Sequence, residues 1–171
     1  DEIASARLIF PWVLGLLGAP LLLVSLAVPI RESGVLLPQL FIAARIRAKA
    51  LRKYVWMLGG MLSGVALLAC AFVLLVDLSA KHAAWLVFAA LILFSVARGV
   101  CSVAAKDVLG KTVSKSRRGT LMGLATSVSG IFTLLLGLNL GFYNQIKNNE
   151  GILASLFGIA GLCWIVASVA I

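Results

Sequence analysis

The stretch from Ala83 to Gly119, AAWLVFAALILFSVARGVCSVAAKDVLGKTVSKSRRG, decides how this chain is organised. Its first part, Ala83 to Ala105, is a run of 23 residues that contains one charge, Arg98. About 20 apolar residues are enough for a helix to cross the hydrocarbon core of a bilayer. Five Lys and Arg residues follow, and a second apolar run begins at Gly119. The stretch therefore predicts two membrane helices joined by a basic loop, with one arginine inside the membrane.

The composition of the whole chain supports a membrane protein. Of the 171 residues, 62% are hydrophobic and only 12% are charged, and the mean hydropathy is +1.10. A soluble domain carries about 25% charged residues, so this chain has too few polar side chains to cover a globule in water. We expect an all-α protein embedded in the lipid bilayer, because helices satisfy their own backbone hydrogen bonds there.

Six segments are long enough to span a membrane, and we expect them to form a single transmembrane domain over residues 1–171. The second segment is the least regular, since only eleven residues, Gly34 to Ala44, lack a charge, and Pro38 interrupts them. A short, Pro-interrupted segment is typical of a transporter binding site, and a poorly apolar helix shielded by its neighbours is the alternative. Pro20 predicts a kink in the first segment. The predicted helices cover approximately residues 8–29, 31–50, 54–76, 83–105, 119–142 and 151–171.

Positive charge is concentrated in two of the predicted loops, which predicts the orientation of the chain. Ten of the fifteen Lys and Arg residues lie after helices 2 and 4: Arg45, Arg47, Lys49, Arg52, Lys53, Lys106, Lys111, Lys115, Arg117 and Arg118. The positive-inside rule places both loops, and the N-terminus, in the cytoplasm. Asp107 lies in the second loop beside Lys106, where we expect a salt bridge. Because topology accounts for the basic residues, we expect no binding to nucleic acid.

The sequence contains no motif of a soluble enzyme. It has no Walker loop, GxSxG, HExxH or CxxC. Cys70, Cys101 and Cys163 fall in separate spans without the spacing of metal ligands, and His82 is the only histidine. We therefore expect no enzymatic activity, no bound metal and no cofactor.

Arg98 is the most informative residue of the chain. It precedes Lys106 by eight positions, which places it about 12 Å inside the membrane. Ser95, Cys101 and Ser102 share its helix face. An arginine near a helix centre costs about 2.5–3.5 kcal/mol to insert, so it should face protein or a water cavity. Two roles stay open: Arg98 lies in a substrate or proton path, where it holds an anionic group, or it closes one end of the bundle through loop carbonyls.

Further polar residues are candidates for the same path. Glu32, at the outer end of helix 2, is the best candidate for a proton-titrating carboxylate, and an interfacial ion pair with Arg31 is the alternative. Gln39 on helix 2 and Asn139 on helix 5 are hydrogen-bonding groups at membrane depth, although such residues also join helices to one another. Glycines four apart, at residues 119 and 123 of helix 5, predict close packing against another helix.

Three stretches resemble the major facilitator superfamily of transporters. Arg98 to Ala105, RGVCSVAA, resembles the fourth-helix motif of that superfamily, in which small residues follow an arginine. Lys115 to Gly119 resembles the basic Arg-Gly start of its fifth helix, and Pro29 to Gln39 resembles a bacterial branch of these permeases. There are two departures. The loop from Phe41 to Lys53 lacks the Asp and Gly of the superfamily signature, and helix 5 lacks the Gly-Pro pair of the antiporters.

This resemblance implies a fold and a function. It implies the N-terminal half bundle of a 12-helix transporter, built as a 3+3 inverted repeat, with the missing C-terminal half as its partner. The implied activity is secondary active transport of a small solute by alternating access, coupled to protons through Arg98, in a bacterial inner membrane. The alternative function is that of a non-transporting membrane protein, such as a six-helix scaffold or an assembly subunit.

Overall fold

A computed structural model describes residues 9–47, 52–76, 78–142 and 150–170 of the chain. The described residues form an all-α structure, which confirms the predicted class. Within the described residues, three helices are long and apolar enough to cross a membrane, over Lys53–Leu75, Ala80–Thr112 and Gly151–Val169. The helices of the described chain are α1 Ile9–Leu16, α2 Leu21–Arg47, α3 Arg52–Leu75, α4 Ala80–Thr112, α5 Lys115–Phe142 and α6 Glu150–Val169.

The first two helices do not have the predicted boundaries. The predicted break near residue 30 is wrong, because α2 runs unbroken through Pro29 and Pro38. The chain instead breaks between α1 and α2, at residues 17–20. Arg31 and Glu32 consequently lie within a 27-residue helix and not at its end.

Local backbone chemistry explains why α1 stops where it does. Gly18 has a φ of 63°, in the left-handed region that glycine adopts most easily. The Ala19 N–H donates to the Leu14 carbonyl at 2.9 Å, and the Gly18 N–H donates to the Gly15 carbonyl at 3.1 Å. These two bonds form a Schellman motif, and Pro20 then prevents the helix from continuing. The predicted kink at Pro20 is thus a full helix end.

The predicted basic loop between helices 4 and 5 is mostly helical. α4 extends to Thr112, well beyond the predicted end of its span, and only residues 113–114 separate it from α5. Arg118 Nε donates to the Val113 carbonyl at 2.8 Å, and its Nη2 donates to the Gly110 carbonyl. Arg118 therefore ties the first turn of α5 to the carbonyls that end α4.

The core of the bundle forms where α3 packs against α4 and α6, and α2 packs against α4. Phe10 of α1 contacts two further rings: Phe94 of α4 with centroids 6.3 Å apart, and Phe157 of α6 with centroids 5.2 Å apart. All three rings are almost fully buried. At the α3–α6 crossing a Cβ on Gly64 would lie 2.8 Å from the Gly161 carbonyl oxygen, so the two backbones touch.

Helix directions place two of the basic segments at the same end of the bundle. α3 and α4 are joined by residues 76–79 and pack along each other, so they run antiparallel. The start of α3, with Lys53, and the end of α4, with Lys106, are therefore neighbours. Gly60 of α3 approaches Ser168 of α6, so the end of α6 lies there too.

The described part of α5 stands apart from this bundle. Its apolar side chains are exposed, including Leu124 at 69% and Phe132 at 64%, and it has no extensive packing with the other described helices. Apart from the nearby backbone of α5 itself, no described atom lies within 4 Å of a Cβ built at Gly119 or Gly123. The close packing predicted for these glycines is therefore not formed here.

Candidate functional site

Arg98 lies inside the bundle, on the face of α4 that points toward α6. Its side chain is half-buried, and its Cζ atom is 5.3 Å from the centre of the Trp164 ring. The negative face of an indole attracts a guanidinium, with a contribution of about 0.5–2 kcal/mol that grows as water is excluded. The ring therefore helps to orient the cation. The carbonyls of Gly110, in the last turn of α4, and of Val113, just after it, accept hydrogen bonds from Arg118.

The turn of α4 that follows Arg98 is held against α3. A Cβ on Gly59 would lie 2.9 Å from the backbone nitrogen of Cys101. The Cys101 side chain is buried at this contact. Ser102, one position on, is half-buried. The backbone beside Arg98 is therefore fixed by a close α3–α4 contact.

On its other side, the same turn touches α2. A Cβ on Gly99 would lie 2.7 Å from the carbonyl oxygen and 3.1 Å from the Cα of Val35. Gly34 packs in the same way on Ser95, whose hydroxyl donates to the Leu91 carbonyl at 2.7 Å and is thereby satisfied within α4. The predicted polar face therefore divides: Ser95 serves the packing of α2 on α4, whereas Arg98 contacts the Trp164 ring of α6.

Arg31 repeats the arrangement of Arg98 on a different helix. It is half-buried, and its Cζ atom lies 5.3 Å from the centre of the Phe94 ring. Phe94 is fully buried one helical turn before Arg98, so the two cations lie close to the same part of α4. Glu32 is exposed. The prediction that Arg31 and Glu32 mark an outer helix end is wrong, because α2 extends well beyond them on both sides.

The other predicted residues are dispersed. Gln39 is half-buried on α2, two turns beyond Arg31. Asn139 belongs to α5, but its side chain lies outside the described part of the chain, as do those of Arg45, Arg47, Lys49 and Arg52. Lys53, Lys106 and Arg117 are exposed, whereas Asp107 and Arg118 are half-buried. Among the predicted path residues, the structure therefore brings Arg98 and Arg31 toward one part of the bundle.

Sequence reasoning missed the aromatic partners of both arginines. Trp164 and Phe94 are ordinary apolar residues of their spans, and only the folded bundle shows which ring meets which cation. Sequence reasoning also missed the packing role of Gly99. The signal was present, since a glycine directly follows the one charge of the span.

A separate groove runs along α5. It has a volume of about 370 Å³, and its described lining consists of Thr126, Ser129, Gly130, Thr133 and Leu134. The threonine hydroxyls donate to carbonyls one turn back on α5, at 2.9 Å each. The groove therefore presents few free polar groups. In the described chain no three His, Cys, Asp or Glu side chains are grouped so that they could hold a metal ion.

No protein-family model matches the chain, and no curated protein or solved structure matches it either. The resemblance to the major facilitator superfamily therefore rests on its three sequence stretches.

Proposed function

We propose that this chain is part of a secondary active transporter, which moves a small solute across a bacterial inner membrane in exchange for or together with protons. The observation that carries the proposal is the half-buried Arg98, set among helices that are apolar enough to span a membrane. Ionisable residues at such positions are costly, and they mark solute and proton pathways in membrane proteins.

The proposed role of Arg98 is to hold negative charge. Its guanidinium lies over the Trp164 ring, which helps to orient the cation. It would bind an anionic group of the solute, or favour the ionised form of a nearby acid and so help to release a proton. Arg31 adds a second positive charge near the same part of α4. Glu32 follows this arginine on α2 and is exposed.

The proposed transport cycle needs a second set of helices. In the superfamily that the motifs resemble, the solute binds between two six-helix halves that rock against each other. The exposed faces of α2 and α5 would then contact the second half. The proposed orientation places the Lys53 and Lys106 end of the bundle in the cytoplasm, because positive residues concentrate there.

The test is solute uptake into proteoliposomes that contain the full-length protein, with an imposed pH gradient and a panel of anionic, neutral and cationic solutes. For a solute that is taken up, we expect Arg98→Gln to abolish gradient-driven uptake while membrane insertion stays normal. Arg98→Lys keeps the charge but loses the planar group that stacks on Trp164, so it should restore uptake only in part. Lys81→Gln, an exposed position on the first turn of α4, is the matched control and should transport normally. Undiminished uptake by Arg98→Gln would refute the proposed role.

A second candidate is a membrane scaffold, which the exposed apolar side chains of α5 favour. A broad exposed apolar surface of this kind needs lipid or another protein against it. If no solute of the panel is taken up, and the protein instead purifies in a fixed ratio with another membrane protein, the scaffold accounts for both results and the transporter proposal fails.

A further inference from the structure

Exposed positive charge is concentrated where α4 meets α5. Four cations of this region, which we call the basic corner, are exposed: Lys106, Lys111, Lys115 and Arg117. Lys53, also exposed, lies at the same end of the bundle, because α3 and α4 run antiparallel. We propose that the basic corner binds the phosphate headgroups of anionic phospholipids.

The length of α4 places the corner at headgroup level. Its 33 residues extend over about 50 Å, whereas the hydrocarbon core is about 30 Å thick and the whole bilayer about 40–45 Å. The helix must therefore reach into the headgroup layers. Lys106 lies at the end of the apolar span, and Lys111 lies about 7.5 Å further along the helix. That distance is close to the depth of one headgroup layer.

The corner has a fixed shape. Arg118 uses its side chain to bind the carbonyls of Gly110 and Val113, so the angle between the two helix ends is held by a side chain that is itself half-buried. The exposed cations are thus presented from a rigid turn. The Ser114 and Ser116 hydroxyls lie 3.5 Å apart at the start of α5 and add hydroxyl donors beside these cations.

Charge and location together favour a lipid over a soluble anion. Basic groups beside a membrane helix are attracted to anionic lipid by an amount that corresponds to about a fivefold gain in binding for each Lys or Arg. Long lysine side chains can keep their stems along apolar surface while the amine reaches a phosphate. The basic corner would bind such lipids in a transporter and in a scaffold alike.

The experiment measures how many phospholipids the full-length, detergent-purified protein retains, by native mass spectrometry, after exposure to mixed micelles of phosphatidylglycerol and phosphatidylcholine. We expect the unmodified protein to retain phosphatidylglycerol selectively. A triple variant with Lys106→Gln, Lys111→Gln and Lys115→Gln should lose about 100-fold in this selectivity, by the fivefold factor for each charge. Replacing the same three residues by arginine should preserve it.

Lys81→Gln is the matched control, because Lys81 is exposed on the first turn of the same helix. It should leave the selectivity unchanged. Equal retention of the two lipids, or an equal loss in the Lys81→Gln variant, would overturn the proposal. So would displacement of the lipid by millimolar inorganic phosphate, since the corner would then be a site for soluble anions. If the triple variant misfolds, the three single variants decide, each with an expected loss of about fivefold.

Discussion

Gly99→Ala tests the close crossing of α2 and α4 beside Arg98. The added Cβ would lie 2.7 Å from the Val35 carbonyl oxygen and 3.2 Å from the Gly34 carbonyl oxygen. Both neighbours are backbone atoms, which cannot rotate away as the end of a side chain can. Forcing a methyl group into such a contact costs about 1–3 kcal/mol, because the two helices must move apart.

The matched control is Gly130→Ala on α5, where no described atom outside the nearby backbone of α5 lies within 4 Å of the new Cβ. Replacing glycine by alanine inside a helix is itself favourable by about 1 kcal/mol. This gain is common to both variants, so the difference between them isolates the packing cost of about 1–3 kcal/mol. For a chain of this size each kcal/mol changes the melting temperature by about 2–4 °C.

The measurement is thermal unfolding of both variants in the same detergent, followed by fluorescence size-exclusion chromatography. We expect Gly99→Ala to melt at least 2 °C below Gly130→Ala, by the scale above. Equal melting temperatures would mean that α2 and α4 do not touch at Gly99, and the arrangement described around Arg98 would then be wrong.

Two further predictions concern the arginines. Trp164→Leu removes the ring beneath Arg98, and a double-mutant cycle with Arg98→Gln, read out by thermal unfolding, should give a coupling of about 0.5–2 kcal/mol; additive effects would show that the stacking contributes nothing. Arg118→Gln removes the side-chain hydrogen bonds that join α4 to α5 and should destabilise the protein by about 1–2 kcal/mol. Arg117 is exposed, so the control variant Arg117→Gln should have a stability within about 0.5 kcal/mol of that of the unmodified protein. Equal losses in that pair would contradict the bonding assigned to Arg118.

The all-helical class and the positions of α3 and α6 could be predicted from hydropathy, because each is a long apolar run between charges. The ends of α1 and α4 could not be predicted in the same way. α1 ends because of the left-handed backbone conformation of Gly18 and the proline at position 20. Neither residue interrupts the apolar run, so the hydropathy of the sequence does not show this helix end. α4 continues past Lys106 because a helix does not have to end where the hydrocarbon does.

The spacing of glycines was a partial guide to the packing. Residues 60 and 64 of α3 have the same spacing as residues 119 and 123 of α5, yet only the α3 pair meets another described helix. Spacing shows where two backbones can approach each other, but it does not show whether a partner helix is there. The candidate site likewise has one feature that the local sequence predicts and one that depends on a distant part of the chain. The face of α4 that carries Arg98 follows from helical periodicity, whereas its contact with Trp164 depends on how α6 packs.

The position of Arg98 links its charge to the packing of three other helices. α2 touches the α4 backbone at Gly99, α3 touches it at Cys101, and α6 supplies Trp164 to the side chain itself. All three contacts fall within about one turn of α4. Because tightly packed helices shift as units, a movement of α2 or α6 relative to α4 must change the surroundings of the guanidinium. If the proposed transport function is correct, the charge of Arg98 responds to the rocking of alternating access, and its affinity for an anion or its effect on a neighbouring acid changes with that movement.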